Sequence, residues 1–343
     1  MTEQKMRDKI SDTSFVQKDV DMGPKIARKR SALNWLWLLG ALWVAPSSLM
    51  SQTQPPAEAA AAKPDQSTVQ SPQASGSPVK VFLTVSGKRI SSAVPTPSEL
   101  VVSVDKQPAS ITSLRPAKND KLLFALLVDV SGSNRSKAGE IKAVALQLFK
   151  ELSADGNDGF LVTFNAQVQV MMSNSPLQLS QVQAALDAIQ FGGGTALNDA
   201  IWKTCKHLLS RSGNPGIDRR VIVVITDGDD NYSRANQSEA EQIAQEEGVT
   251  IFSLATSSID PSYTQGITRL KEISRSTGGL RISPDDRSVH ADDGVLHLIE
   301  AVRDQWVMTI LPQQVSDQKL HSLSVKSSQK GVHLSAPAQI LLQ

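Results

Sequence analysis

Four short, nearly unbroken apolar runs, at residues 122–130, 159–164, 221–226 and 250–254, constrain the fold of this chain more than any other feature. A strand that is apolar at every position must be covered on both faces, as in a parallel sheet held between two layers of helices. The segments between the runs supply those layers. Ile141, Val144, Ala145, Leu148 and Phe149 recur at three-to-four spacing, as do Val182, Ala185, Leu186 and Ile189, and then Ile201, Cys205, Leu208 and Leu209. Further helices are predicted near 238–247, 263–277 and 289–303. Residues 168–172 follow the second run closely, across Asn165-Ala166-Gln167, which predicts the antiparallel edge strand of a hairpin. The expected class is α/β over residues 121–304, a doubly wound, mostly parallel sheet with helices on both faces.

On either side the pattern is different. Short β-prone runs at 79–86, 99–104 and 111–114 are divided by turn residues, and strand patterns return at 306–311, 321–325, 332–334 and 340–342. The flanks 79–120 and 305–343 are therefore expected to build one small β subdomain beside the α/β core.

Residues 1–50 carry a basic cluster (Lys25, Arg28, Lys29, Arg30), then the apolar run 33–44, then Pro46, Ser47 and Ser48. This order reads as an export signal peptide. The run is shorter than the roughly 20 residues of a bilayer-spanning helix. A retained anchor over 32–50 is the alternative, and either would leave the remainder outside the cytoplasm, in a bacterial cell envelope or secreted. The long polar lead also leaves two candidate starts, Met1 and Met22. Residues 51–78 are Gln, Ala, Pro and Ser with almost no large apolar side chain, a composition that cannot offset the entropy of folding, and a disordered linker is expected there.

The 35 basic and 34 acidic residues give a formal charge of +1, so nothing argues for a nucleic-acid partner. Cys205 is the only cysteine, which excludes an internal disulfide and fits a small buried apolar residue of a helix.

Three segments carry the chemistry: Asp129-Val130-Ser131-Gly132-Ser133, Gly194-Thr195-Ala196-Leu197 and Ile225-Thr226-Asp227-Gly228. Asp129 and Asp227 each end a predicted strand, and Thr195 lies in a Gly-rich loop entering a helix. In an open α/β sheet all three would meet at the carboxyl ends of the strands, where ligands bind. Carboxylates, hydroxyls and water are the oxygen donors that Mg²⁺ or Mn²⁺ accepts. A helix-capping turn is the plainer reading of Asp-x-Ser-x-Ser taken alone.

The Asp-x-Ser-x-Ser run, the distant Thr and the later Asp resemble the metal-ion-dependent adhesion site of the von Willebrand factor type A family, over residues 122–303. The flanks resemble, more loosely, the extensions of bacterial exported proteins of that kind. The resemblance implies a Mg²⁺ site, or one for Mn²⁺ or Ca²⁺, held by Asp129, Ser131, Ser133, Thr195 and Asp227. Ser131 and Ser133 would ligate directly, Thr195 directly or through water, and the two aspartates largely through water and hydrogen bonds to the hydroxyls. It also implies adhesion, with a protein partner's Asp or Glu carboxylate completing the coordination, and no catalysis. In some relatives the C-terminal helix, here 289–303, shifts with ligation. Asp229 and Asp230 read as a solvated acidic loop, and Asn198 and Asp199 as helix-start residues.

Two other functions compete. One is an envelope scaffold whose metal merely stiffens the rim. The other is a hydrolase, for which Ser131 or Ser133 would need a base that no histidine supplies locally. Gly-x-Gly-x-x-Gly and Gly-x-x-x-x-Gly-Lys-Ser/Thr are both absent, which argues against nucleotide chemistry.

Overall fold

The computed structural model describes residues 15–17, 76–86, 96–174, 179–256, 264–283, 294–314, 316–329 and 332–343. The expectations for the export segment and the linker therefore lie almost wholly outside the described residues, as do residues 289–293 of the last predicted helix. Among the described residues no helix is long and apolar enough to cross a membrane.

In chain order, a short strand β1 (Phe15–Gln17) precedes β2 (Val79–Ser86), β3 (Leu100–Val104), β4 (Gln107–Pro108) and β5 (Ser110–Pro116). The α/β part holds β6 (Leu122–Asp129), α1 (Ala138–Leu152), β7 (Asp158–Phe164), β8 (Val168–Asn174), α2 (Leu179–Asp187) and α3 (Leu197–Lys203). It continues through β9 (Arg219–Thr226), α4 (Gln237–Glu247), β10 (Val249–Ala255), α5 (Thr264–Ser276), β11 (Arg281–Ile282) and α6 (Gly294–Arg303). Last come β12 (Trp306–Leu311), β13 (Leu320–Ser327), β14 (His333–Ser335) and β15 (Gln339–Leu341).

The main sheet has the order β1-β8-β7-β6-β9-β10-β11, parallel except for the β7–β8 hairpin. The doubly wound expectation holds. One detail differs: β8 is covered by β1 rather than forming the edge. The unbroken apolar strands divide by parity, because successive side chains point to opposite faces. Phe124, Leu126 and Val128 pack with residues of α1, α2 and α6, whereas Leu123, Ala125 and Leu127 pack with those of α3, α4 and α5. Cys205 is buried in the second cluster, and burial pushes its thiol pKa up, away from reactivity.

Local signals set the element ends. Asn236 accepts from the Glu239 backbone at 3.0 Å while Glu239 accepts from the Asn236 backbone at 2.8 Å, a reciprocal cap that opens α4. Gly248, with φ +66°, closes the same helix in the left-handed conformation that glycine adopts without steric penalty.

Both flanks meet as expected, in two four-stranded sheets of order β14-β2-β12-β5 and β15-β13-β3-β4. Val81, Leu83, Val102, Val104, Met308 and Ile310 lie in the apolar cluster these strands enclose. The chain enters and leaves the α/β part side by side, with the Ala117 N–H donating to the Gln305 carbonyl at 2.8 Å. Arg219, at the foot of β9, clamps that junction. Its guanidinium donates to the Ala117 carbonyl at 3.0 Å, to the Gln305 side chain at 3.2 Å and to the carbonyls of Val302 and Arg303 at the end of α6. Nothing in the spacing of the sequence pointed to this residue.

His321 ties the second small sheet together. Nδ1 faces Asp105 at 2.6 Å and Nε2 faces Asp317 at 2.8 Å, so both ring nitrogens are best used as donors and the imidazolium is favoured. Hydrogen bonding to Asp317, then to Asp105, raises the His321 pKa, while the same imidazole lowers those of Asp105 and Asp317. A folded pKa above the unfolded value of about 6.5 contributes stability below that pH and loses it as pH rises through the folded value. Denaturant unfolding should accordingly show stability declining from pH 6 to pH 9, with a shallower decline in His321→Asn. Equal slopes in the two proteins would refute the assignment.

Candidate metal centre

Three loops at the carboxyl ends of β6 and β9 and at the start of α3 make the site. Asp129 is the last residue of β6 and fully buried, and the loop after it turns sharply because Asp129 Oδ1 accepts from the Ser131 N–H at 2.9 Å. Its other oxygen accepts from the Thr226 hydroxyl at 2.6 Å, so the last residue of β9 steadies a carboxylate on β6. The neighbouring Asp227 is 3% exposed and accepts from the Ser133 hydroxyl at 2.6 Å. The Ser131 and Ser133 hydroxyl oxygens lie 3.1 Å apart.

Ser131 sits at the start of a 3₁₀ turn, Gly132–Lys137, yet makes no side-chain cap to it. Its hydroxyl is turned toward Ser133 and, at 3.5 Å, the Asn134 amide. The plainer reading of Asp-x-Ser-x-Ser as a helix cap is therefore not what the side chains do.

Thr195 is held beside this loop by the backbone. Gly192 donates to the Val130 carbonyl at 2.7 Å and Gly132 donates to the Gly193 carbonyl at 3.0 Å, a short ladder joining the two loops. Gly193 has φ +84°, a conformation that favours glycine. Thr195 itself is 2% exposed, its N–H donating to the Asn231 side chain at 2.9 Å and its carbonyl accepting from the N–H groups of Asn231 and Tyr232. Gly228, with φ +87°, packs so tightly on the Gly266 backbone that a side chain at either position would displace the Asp227 loop.

The five residues singled out in the sequence thus lie on three loops that hydrogen bonds tie together. Their supporting residues were not foreseen: Thr226, Asn134, Asn231, and Asn165, whose amide donates to the Gly192 carbonyl at 2.9 Å. Thr226 was visible within Thr-Asp-Gly, but only the pairing of β6 with β9 reveals what it touches. Asp230 is no free acidic loop residue. It accepts from the Asn198 N–H at 2.8 Å and so caps α3 from a distant part of the chain. Asp199 in turn accepts from the N–H groups of Arg234 and Ala235, holding that loop rather than its own helix.

The electrostatics of the rim are set by its two buried aspartates. Among the described residues neither Asp129 nor Asp227 has a basic partner at ion-pair distance, although both are buried. Burial pushes the Asp129 carboxyl up to about 6, against hydrogen bonds from Ser131 and Thr226 that hold it down, with a further upward push from Asp227. Asp229 is also raised, by burial and then by Asp227. Two buried carboxylates without a counter-charge are unfavourable in a low dielectric, and a divalent cation would relieve them. Among the described residues no three His, Cys, Asp or Glu side chains converge as a metal cluster. The donor set is therefore hydroxyls backed by two carboxylates, which suits a hard cation and not a thiolate or imidazole metal.

No curated protein matches the chain significantly. Among solved structures, a von Willebrand factor type A protein from Catenulispora acidiphila is 13% identical, with 78% of this chain and 75% of that one covered and a TM-score of 0.44. An aerotolerance-related membrane protein from Bacteroides fragilis is 18% identical, with 52% and 98% covered and a TM-score of 0.40. Proximal thread matrix protein 1 from the mussel byssus, solved with a zinc-occupied MIDAS motif, is 15% identical, with 59% and 49% covered and a TM-score of 0.43. The family model for the von Willebrand factor type A domain matches residues 124–281, the stretch that holds the sheet and all three rim loops. Over residues 124–281 this chain is thus similar to the von Willebrand factor type A domain, and the segments on either side of that stretch build a β subdomain.

Proposed function

We propose that this chain is an exported binding module that takes up a divalent cation of the Mg²⁺ class at the rim and uses it to engage a carboxylate of a partner protein. Domains of this family are mainly non-enzymatic interaction modules. The observation that carries the reading is the hydroxyl pair of Ser131 and Ser133, 3.1 Å apart, with Ser133 bonded at 2.6 Å to a buried Asp227 that has no basic partner among the described residues.

In this reading Ser131, Ser133 and Thr195 present hydroxyl oxygens to the cation, while Asp129 and Asp227 hold those hydroxyls in place and supply the negative charge. A bound ion of this class would offer a partner carboxylate an open coordination position. Ser133 is the exposed member of the set, which supports approach from its side. Among the described residues the serine hydroxyls meet each other, Asp227 and Asn134 rather than an imidazole, which favours binding over nucleophilic catalysis.

Affinity capture from a bacterial envelope fraction tests the proposal in three arms: wild type with Mg²⁺, wild type with EDTA, and Ser133→Ala with Mg²⁺. The partner is expected in the first arm only. Retention in all three would favour a passive scaffold. Ester or phosphate turnover that disappears in Ser131→Ala would replace the binding reading with a hydrolase. Export is tested separately, by the N-terminus of the mature protein in mass spectrometry: cleavage after the 33–44 run would remove β1 and leave β8 as the edge of the sheet, whereas a mature chain that keeps Phe15–Gln17 beside β8 would count against export through that run.

A further inference from the structure

At the opposite end of the sheet from Asp129, between the feet of β9 and β10 and the strands β2 and β15, lies a cavity of about 230 Å³. Arg211 and Arg220 both line it. Arg220 is 5% exposed, and its guanidinium reaches only backbone carbonyls, of Asn214 at 3.1 Å and of Asp218 at 3.4 Å. The Nε atoms of Arg220 and Arg211 are buried, and neither has a hydrogen-bond partner. Among the described residues no carboxylate forms an ion pair with either guanidinium.

Two acids stand near them, Asp218, which also lines the cavity, and Glu247, and among the described residues neither is at ion-pair distance from a guanidinium. Asp218 pairs with Lys80, and Glu247 accepts the Arg211 backbone N–H at 2.7 Å. Gly248, at the end of α4, is bare where Arg211 lies, and a side chain there would overlap the guanidinium. Burial pushes down the pKa values of both arginines, with the charge of Arg211 adding to the effect on Arg220, while the charges of Asp218 and Glu247 push the other way. An arginine stays protonated in a protein, so the buried Arg220 and the half-buried Arg211 each bring a charged fork with a vacant buried Nε donor to a space larger than a water.

We propose that this cavity binds a small oxyanion of the phosphate class, with Arg211 and Arg220 donating to its oxygens. The shape of the donors supports this chemistry, since planar guanidinium groups match the oxygens of a phosphate in pairs. The shared ligand group is a phosphate, supplied by the free ion or by a phosphomonoester of a small metabolite.

Titration calorimetry and ³¹P line broadening on the full chain in EDTA, with inorganic phosphate in one arm and glycerol 3-phosphate in another, test the site without any divalent ion at the opposite rim. Saturable binding is expected in the wild type and equally in Asp129→Ala, with affinity reduced roughly tenfold or more in Arg220→Gln and Arg211→Gln. Arg211 is the less buried of the two, so its variant reports on the site even if Arg220→Gln fails to fold. A tighter constant for the ester identifies the phosphomonoester as the source, and equal constants identify the free ion. No saturable binding to the wild type, or undiminished binding to a folded Arg211→Gln, overturns the proposal. Because Asp129→Ala should bind phosphate normally, failure here is distinguishable from failure of the rim site.

Discussion

Asp129→Asn is expected to fold normally and to lose the stabilisation that Mg²⁺ confers on the wild-type protein. A ligand present at a hundred times its dissociation constant stabilises by about 2.7 kcal/mol, which for a domain of this size raises the melting temperature by roughly 5–11 °C. The amide is nearly isosteric with the carboxylate and can still accept from the Ser131 N–H and meet the Thr226 hydroxyl, the two contacts Asp129 makes. In EDTA the variant should therefore lie within about 1 kcal/mol of the wild type, because it loses little bonding and no longer buries an uncompensated charge. Thermal melts of both proteins with Mg²⁺ and with EDTA form the experiment. The rim site is refuted if the wild type gains nothing from Mg²⁺, Mn²⁺ or Ca²⁺, or if the variant gains as much.

Removal of Arg219 should produce the largest loss of intrinsic stability. Burial pushes its pKa down to about 10, and its donors satisfy acceptors on both crossings into the β subdomain and at the end of α6. Arg219→Met keeps most of the apolar volume but leaves the carbonyls of Ala117, Val302 and Arg303 without that donor. Stripping one side of a buried, charge-assisted network costs about 3–5 kcal/mol. The expected fall in melting temperature is roughly 6–20 °C. Arg115→Ala provides the contrast, since its pair with Asp120 is about half exposed on the arginine side and should contribute less than about 1 kcal/mol. If Arg219→Met melts within about 2 °C of the wild type, the clamp is not what holds the junction.

Much of the architecture was legible because it follows from periodicity. Apolar residues at every position of 122–128 demand two covering layers, and the strand appears with alternate residues committed to opposite clusters. The hairpin after Phe164 and the convergence of both flanks were readable for a similar reason, since strands without a covered face must find one. The edge position of residues 168–172 was misread because the pairing segment, Phe15–Gln17, lies far away in the chain and is too short to show a pattern.

The candidate site divides in the same way. Asp129, Ser131, Ser133, Thr195 and Asp227 announce themselves through residue type and their places at strand ends and loops. Asn231 behind Thr195, Asp230 capping α3 across the chain, and the arginines at the other end of the sheet do not. A single Asn, Asp or Arg in a loop has the same local appearance whether it is solvated or buried against a distant backbone.

The sequence by itself determined the layered α/β plan and the residue types gathered at one rim, because periodicity and strand termini are local and one-dimensional. Tertiary structure alone decided which hydroxyl faces which carboxylate, which buried charges lack a counter-charge, and which arginine clamps the two crossings. Hydrogen bonding and desolvation depend on groups brought within about 3 Å from positions far apart in the chain, and no spacing rule encodes that approach.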